Sequence, residues 1–508
     1  MVGVGASAGG LEAFTELLEG LPDDTGMAFV LVSHLSHTHK SMLSELLARA
    51  TRMPVKEAGK RTALSANHVY VIPPNMSLSL SDGYLVTKAI PQGRRPVMVI
   101  DSFLRSLAEK RGSQAIGVIL SGTGTDGTLG LAAIKAAGGV TFAQDERSAK
   151  YSDMPRSASA EPGAADFILP PPEIARQLAR VARHPYVKQA PPDLEEQPGP
   201  RDQLAKVFSL IRTSGGVDFS CYKPTTIKRR ISRRMLLRQI DSLEAYVARL
   251  RQDPAEVEAL SKDLLINVTG FFRDPDTFQA LSDAVIPKIL EGREPNDPVR
   301  VWVAGCSSGE EAYSIAICLL EAMEKRGVAL PIQIFATDVD KDAIEKAREG
   351  RYRENIAADV SPERLRAYFN KTTDGYRISK RVRDLCVFAV QNAVKDPPFS
   401  RLDLVSCRNV LIYLASNLQK RLLATFHYAL KPTGMLLIGS SETVGGAATL
   451  FRRPTRSTGS TPKFPRWRGL RSSSVRASRP SIRRQVQEPP LRDARSGLKS
   501  AGRRISSC

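Results

Sequence analysis

Apolar runs of two different periods alternate along residues 1–183. The short continuous runs "VGVGA" (2–6), "FVLVSH" (29–34), "HVYVIPP" (68–74) and "AIGVILSG" (115–122) read as strands. Between them, "LEAFTELLEGL", "KSMLSELLARA" and "MVIDSFLRSLAEK" repeat apolar residues at the three- and four-residue spacing of half-buried helices. Strands that alternate with helices predict a parallel sheet covered on both faces. Residues 184–200, "HPYVKQAPPDLEEQPGP", are dense in proline and charge and predict a linker. Residues 201–290 keep only the helical period, as a small all-α domain. Over 291–451 the α/β alternation resumes, through "VRVWVAGCSSGEEAYSIAICLLEAM", "IQIFATDVD", "LDLVSCRNVLIYL" and "GMLLIGSSE". A polar stretch near 351–385, with turn residues such as "TTDG", interrupts it and predicts a small inserted subdomain. Residues 452–508 form a tail of neither period.

Composition narrows the class. A chain of 508 residues exceeds one core, and 42% hydrophobic with 25% charged residues is an ordinary globular balance. No apolar run reaches the roughly 18 residues of a membrane helix, and the N-terminus lacks a secretion pattern, so no membrane insertion is expected. The six cysteines (Cys221, Cys306, Cys318, Cys386, Cys407, Cys508) form no CxxC pair. Neither a disulfide framework nor a metal site is expected, and a reducing cytoplasm fits. The net charge of +20 is concentrated in residues 452–508, which hold 16 Lys and Arg against 2 Asp and Glu. This Ser-, Pro- and Arg-rich tail reads as disordered. Basic tails can adhere to nucleic acid, but a solvated end is the simpler reading, and nucleic acid is not an expected partner.

Three polar residues fall where strands of the first α/β region end: Ser7 after "VGVGA", His34 after "FVLVS", and Asp126 in "VILSGTGTDG". The carboxyl ends of a parallel sheet share one rim, where ligands bind. A hydroxyl, an imidazole and a carboxylate on one rim have the composition of a Ser–His–Asp triad, with N–H groups at the next helix start, such as that of Ala8, for an oxyanion. Each residue also has a plain reading: Ser7 as a helix cap, His34 as one of three loop histidines with His37 and His39, Asp126 as a turn residue. A phosphate loop is disfavoured, since no GK[ST] follows and no acidic residue closes a second strand about 20 residues on. Beyond spacing, "GASAGGLEAF", "VSHLSHTHKSML", "VYVIPPN", "LSGTGTDGTLGL" and "YSDMPRSA" resemble the catalytic domain of the CheB-type chemotaxis protein-glutamate methylesterases. That resemblance puts the active site on Ser7, His34 and Asp126. It implies hydrolysis of glutamyl γ-methyl esters on a receptor, with glutamine deamidation as a side activity. The residue before the histidine, commonly Gln in the family, is Ser33 here. Regulated members carry a preceding receiver domain; no residues precede this strand to build one, so phosphorylation control of that kind is not expected.

In the second α/β region, "VWVAGCSSGEE" reads as strand, small-residue turn and helix start. Gly305 and Gly309 let a ligand approach the backbone, but the turn departs from GxGxxG and lacks GK[ST]. Glu310 and Glu311 at the helix start are ordinary dipole partners; they also repel phosphate and suit an ammonium. Asp338 ends the next strand, a placement suited to ribose hydroxyls. Ribose, an amino-acid head and no phosphate describe S-adenosylmethionine. The stretches "LLINVTGFFRDPDTF", "GCSSGEEAYSIA", "FATDVDKDAIEKAREGRY", "DPPFSRLDLVSCRNVLIYL" and "LLIGSSE" resemble CheR-type chemotaxis receptor methyltransferases over roughly residues 203–445. That resemblance implies an S-adenosylmethionine-dependent methyltransferase fold and cofactor contacts at Asn267, Thr269, Arg273, Glu311 (or Glu310), Asp338, Asn392, Ala393, Arg408 and Asn409, with Tyr413 towards the acceptor. In "TTIKRRISRRMLLR" (225–238), Arg230, Arg234 and Arg238 share one helix face. By itself this is a solvated basic face or a docking face. The resemblance favours docking to receptor helices, through Lys228, Arg229, Arg230, Arg233, Arg234 and Arg238. The two resemblances together imply a fusion that adds and removes methyl esters on glutamates of a methyl-accepting chemotaxis receptor or similar protein. A signalling scaffold with one or both sites inactive is the alternative. The chain leaves the family pattern after "ATLFRRP".

Overall fold

The structure, a computed structural model, describes residues 1–34, 42–90, 98–160, 164–184, 186, 200–215, 218–447, 449–452 and 474–477. His37 and His39, most of the 184–200 linker and nearly all of the basic tail lie outside these residues.

The first sheet runs Phe167–Leu169, Val140–Gln144, Ile116–Ile119, Val2–Ala6, Ala28–Ser33, His68–Val71, Val55–Glu57, with every pairing parallel. Its central strands are buried along their length, as a sheet with helices on both faces requires. Chain order reverses beside Val2–Ala6, which places a switch point at the carboxyl end of that strand. The glycines of "VGVGA" serve packing. A Cβ on Gly5 would sit 2.3 Å from Ile100 Cγ2, and one on Gly3 would sit 2.7 Å from Leu104 Cδ2. The helix Val99–Arg111 therefore lies directly on this strand, with its N-terminus at the rim. A three-stranded antiparallel sheet of Arg61–Ala63, Tyr84–Ala89 and Met76–Ser81 was not anticipated, although "MSLSLSDGY" carries both the two-residue period and the turn.

The second large sheet follows the same plan in the order Cys386–Val390, Ile332–Asp338, Val299–Ala304, Leu402–Cys407, Leu430–Ile438, parallel throughout. Its switch point lies at the end of Val299–Ala304. Ser474–Ala477, four residues of the tail expected to be disordered, instead form a strand antiparallel to Leu430–Ile438 and to Phe451–Arg452. The expected insertion is present as a small antiparallel sheet of Arg351–Tyr352, Gly375–Ile378 and Phe369–Thr372.

Helices Pro200–Gly215, Pro224–Arg238, Leu243–Gln252 and Pro254–Leu264 pack around their own apolar cluster, which includes Ile211, Ile231, Tyr246 and Leu260. The basic helix Pro224–Arg238 departs from the solvent-facing expectation. Arg230, Arg233 and Arg234 are buried, at 1%, 0% and 8% exposure. Arg230 donates to the carbonyl of Lys135 (2.7 Å) and to that of Ala136. Arg233 donates to the carbonyl of Gly139 (2.9 Å), to Asp263 (2.6 Å) and to Asp166. Arg234 grips Glu256 with two nitrogens (2.8 and 2.6 Å), and the exposed Arg238 also reaches Glu256 at 2.5 Å. The arginines recur on one face because that face binds the first α/β region and the neighbouring helix. Buried arginines require such partners. Arg230, Arg233 and Arg234 are thus unavailable to a receptor in this arrangement.

Candidate active sites

At the first rim, strand register does most of the positioning. Ala6 pairs with Ser33, so Ser7 and His34 are the next residues on neighbouring strands. On the other side Gly5 pairs with Ile119, whose strand leads into the loop that carries Asp126. His34 Nε2 lies 2.7 Å from Asp126 Oδ2. Asp126 is buried at 3% and is held at the N-terminus of Val99–Arg111, where Oδ2 accepts from Ile100 N (3.0 Å) and Oδ1 from Asp101 N (2.8 Å). His34 remains open, with 42% of its side chain exposed. The Ser7 main chain is fixed by its N–H donating to Ser121 O (3.0 Å) and its carbonyl accepting from Gly10 N (2.9 Å), at the start of helix Gly10–Glu19. Ser7 Oγ has no hydrogen bond to His34 here, as is common before substrate binds.

Behind Asp126 sits a second carboxylate that no motif signalled. Asp101 is 3% exposed and accepts from Gly130 N at 2.6 Å through Oδ1, while its Oδ2 has no partner among the described residues. Burial, reinforced by the neighbouring Asp126 charge, pushes its carboxyl up to about 7, against the opposing pull of Arg105.

At the second switch point a cavity of about 280 Å³ is lined by Asn267, Thr269, Arg273, Glu311, Asp338, Asn392, Ala393, Arg408, Asn409 and Tyr413. Glu310 is not on its wall: that carboxylate turns back to Ser308 Oγ, at 2.9 and 2.8 Å. Asp338 accepts from Ser307 N (2.8 Å) and Asp340 N (3.0 Å), which tie the first turn to the strand end. Burial still holds the Asp338 carboxyl above its ordinary range, opposed by those N–H groups. Gly305 adopts φ +77°, and a Cβ there would meet Val410 Cγ2 at 2.6 Å, so the turn admits only glycine at this wall. Glu311 accepts from Ser406 Oγ (2.6 Å) and Arg408 Nη1 (3.3 Å), while Arg408 Nη2 donates to Arg273 O and Asp274 (both 2.8 Å). Asn392 shapes its own loop by accepting from Val394 N at 3.1 Å. Ser307 Oγ, in a residue only 7% exposed, has no partner among the described residues.

The helical domain closes the far side with Asp218 and Tyr222, which sequence reasoning missed because neither belongs to a motif. Lys223 N donates to Tyr413 O at 2.9 Å. Burial, with a smaller contribution from Asp338, pushes the Tyr222 phenol up to about 12.

Three family models match this chain: CheB methylesterase over residues 2–178, the all-alpha domain of CheR methyltransferase over 202–265, and its SAM binding domain over 267–459. An uncharacterized 104.1 kDa protein of Rhodobacter capsulatus is 39% identical over 420 residues, covering 79% of this chain and 44% of the relative. The chain therefore spans less than half of that relative's length. A chemotaxis protein methyltransferase of Borreliella burgdorferi is 30% identical over 257 residues, 49% of this chain and 91% of the relative. The putative methyltransferase Cher3 of Pseudomonas putida is 36% identical over 256 residues, 48% of this chain and 90% of the relative. Among solved structures, the Thermotoga maritima CheB methylesterase catalytic domain is 29% identical and covers 35% of this chain and 97% of that one, with a TM-score of 0.33.

Proposed function

This chain belongs to the CheR family of chemotaxis methyltransferases and carries a CheB methylesterase domain ahead of it, and we propose that it both methylates and demethylates glutamate side chains of chemoreceptor-like proteins. The observation that carries the reading is that each of its two parallel sheets has a switch point furnished for one of the two opposing reactions.

In the esterase half, Asp126 holds Nε2 of His34, which leaves Nδ1 to take the Ser7 proton. The serine oxygen adds to the γ-carbonyl carbon of the ester, and N–H groups at the start of Gly10–Glu19, such as that of Ala8, face the developing oxyanion. His34 returns the proton to the methoxy oxygen, and methanol leaves. A water deprotonated by the same nitrogen then splits the acyl-serine, which frees the glutamate and restores Ser7.

The residues of the second cavity fit S-adenosylmethionine. The carboxylates of Asp338 and Glu311 suit hydroxyl and ammonium donors, and the unpaired Ser307 Oγ lies on the same wall. When bound, that cofactor supplies an electrophilic methyl group. Asp338 would hold its ribose hydroxyls and Glu311 its ammonium, with Asn267, Thr269, Arg273, Asn392, Ala393, Arg408 and Asn409 forming the rest of the walls. A glutamate carboxylate needs no base to accept a methyl group. The protein's part is to align it and exclude water, with Tyr222 and Tyr413 at the domain junction suited to that closure.

Two assays test the two halves. Methanol release from a methyl-esterified receptor helix should vanish in Ser7→Ala, and an unchanged rate would remove Ser7 from the mechanism. Calorimetry should detect S-adenosylmethionine binding that Asp338→Ala weakens at least tenfold; equal affinities would place the cofactor elsewhere.

A further inference from the structure

Among the described residues, two side-chain contacts between the methyltransferase and esterase domains reach elements next to Asp126. Asp359, in the loop between Arg351–Tyr352 and Phe369–Thr372, receives Arg105 Nη1 at 3.1 Å and Nη2 at 3.4 Å. Arg105 belongs to helix Val99–Arg111, whose first N–H groups bind the Asp126 carboxylate. Arg353 donates to Ser157 Oγ at 2.7 Å, and Ser157 Oγ also accepts from Thr128 Oγ1 at 2.8 Å. Thr128 begins the helix that follows Asp126 and Gly127.

Charge arrangement gives the first contact a specific consequence. Asp101 and Asp126 are neighbouring buried carboxylates, and Arg105 stands one helical turn beyond Asp101 on the same face. Among the described residues Arg105 is the cation whose charge acts on Asp101, and both of its terminal nitrogens are turned to Asp359 of the other domain. We propose that the Arg105–Asp359 ion pair is an interdomain coupling device: Asp359 draws the Arg105 guanidinium away from the Asp101–Asp126 carboxylates, so that the seating of the methyltransferase domain sets the charge behind the esterase's imidazole. Arg105, Asp359 and Asp101 are positioning residues in this scheme. The inference rests on the esterase reading only for its effect on rate.

Among the described residues, the charged groups that face Asp101 are Asp126 from the loop between Ile116–Ile119 and Thr128–Ala136, with His34 beyond it, and Arg105 from its own helix; Asp359 faces it through Arg105. An ionised Asp101 adds negative charge behind His34 and favours the imidazolium, whereas a protonated one does not. Arg105→Gln removes the cation and raises the pH at which Asp101 ionises. Asp359→Asn releases the cation towards the carboxylates and lowers that pH. Loss of a merely structural contact would move both variants in the same direction.

The test is a carbon-13 titration of aspartate carboxyls in the full chain, with the Asp101 signal assigned through Asp101→Asn. The expected result is displacement in opposite directions, by about half a pH unit or more, in Arg105→Gln and Asp359→Asn, as befits gain or loss of a nearby charge. An Asp101 titration unmoved by Asp359→Asn, or moved the same way by both variants, overturns the proposal. Ester hydrolysis measured on the same samples should show its acid limb moving with Asp101. A wild-type chain that hydrolyses no ester would strike the esterase reading alone, because the titration judges the coupling without it.

Discussion

Replacing Arg233 with methionine removes a buried charge while keeping most of its volume. Arg233 is fully buried and joins three segments: the Gly139 carbonyl and Asp166 of the first α/β region, and Asp263 of the helical domain. Deleting one partner of a buried ion pair costs about 3–5 kcal/mol, mostly because the remaining charge is stranded. Here the stranding is partial. Asp166 keeps Lys135 at 3.1 Å and the N–H and hydroxyl of Thr141, both at 3.0 Å, while Asp263 keeps Arg234 only at 3.8 Å. The expected loss is therefore near the lower end, about 3 kcal/mol. Scanning calorimetry on the full chain should show the first α/β region unfolding separately from the helical domain in Arg233→Met. Asp263→Asn added to Arg233→Met should recover part of the loss, because it removes the less compensated of the two stranded charges. A loss below about 1 kcal/mol, or a double variant less stable than the single one, would refute the claim that this arginine binds the domains together.

Acid should act on the same contact. Burial alone would raise the Asp166 carboxyl, but Arg233 and Lys135 hold it below its ordinary value of 3.8. Its stabilising contribution is present above that value and fades as pH falls through the lower folded one, so domain separation followed by calorimetry should set in below about pH 4. In the esterase, Asp126→Asn should lower the turnover number about 10⁴-fold by favouring the wrong imidazole tautomer, with substrate affinity little changed in steady-state methanol assays. At the second switch point, Gly305→Ala should weaken S-adenosylmethionine binding about tenfold by calorimetry, since the left-handed turn and Val410 both resist a Cβ; Val410→Ala should restore part of it.

What the sequence made legible was whatever local period or strand order decides. Ser7, His34 and Asp126 could be placed on one rim because parallel strands share their carboxyl ends, and the register of Ala6 with Ser33 brings the first two side by side. Asp338 followed from the same strand-end logic, and the insertion near 351–385 from its polar, turn-rich composition. The basic helix shows where the reading ended. A spacing of four residues fixes which arginines share a face, but not what that face meets. The partners of Arg233 lie 94 residues away at Gly139, 67 at Asp166 and 30 at Asp263. No local signal separates an arginine bound for solvent from one bound for such a junction. Glu310 and Glu311 illustrate the same limit at closer range: both open one helix, and only the strand bearing Ser406 and the loop at Arg408 decide that Glu311 faces the cavity. Asp101, Arg105 and Asp359 left no trace because their relation spans 254 residues and belongs to no motif.

A pulse–chase on one receptor fragment tests the bifunctional account most directly. The full chain is given S-adenosylmethionine labelled in the methyl group, then an excess of unlabelled cofactor, while protein-bound label and volatile methanol are followed together. The account predicts that label enters the fragment and then leaves it as methanol. Ser7→Ala should trap it on the fragment, and Asp338→Ala should prevent its entry. Label that never enters the fragment with the wild-type chain, or that leaves Ser7→Ala as fast as wild type, would contradict it.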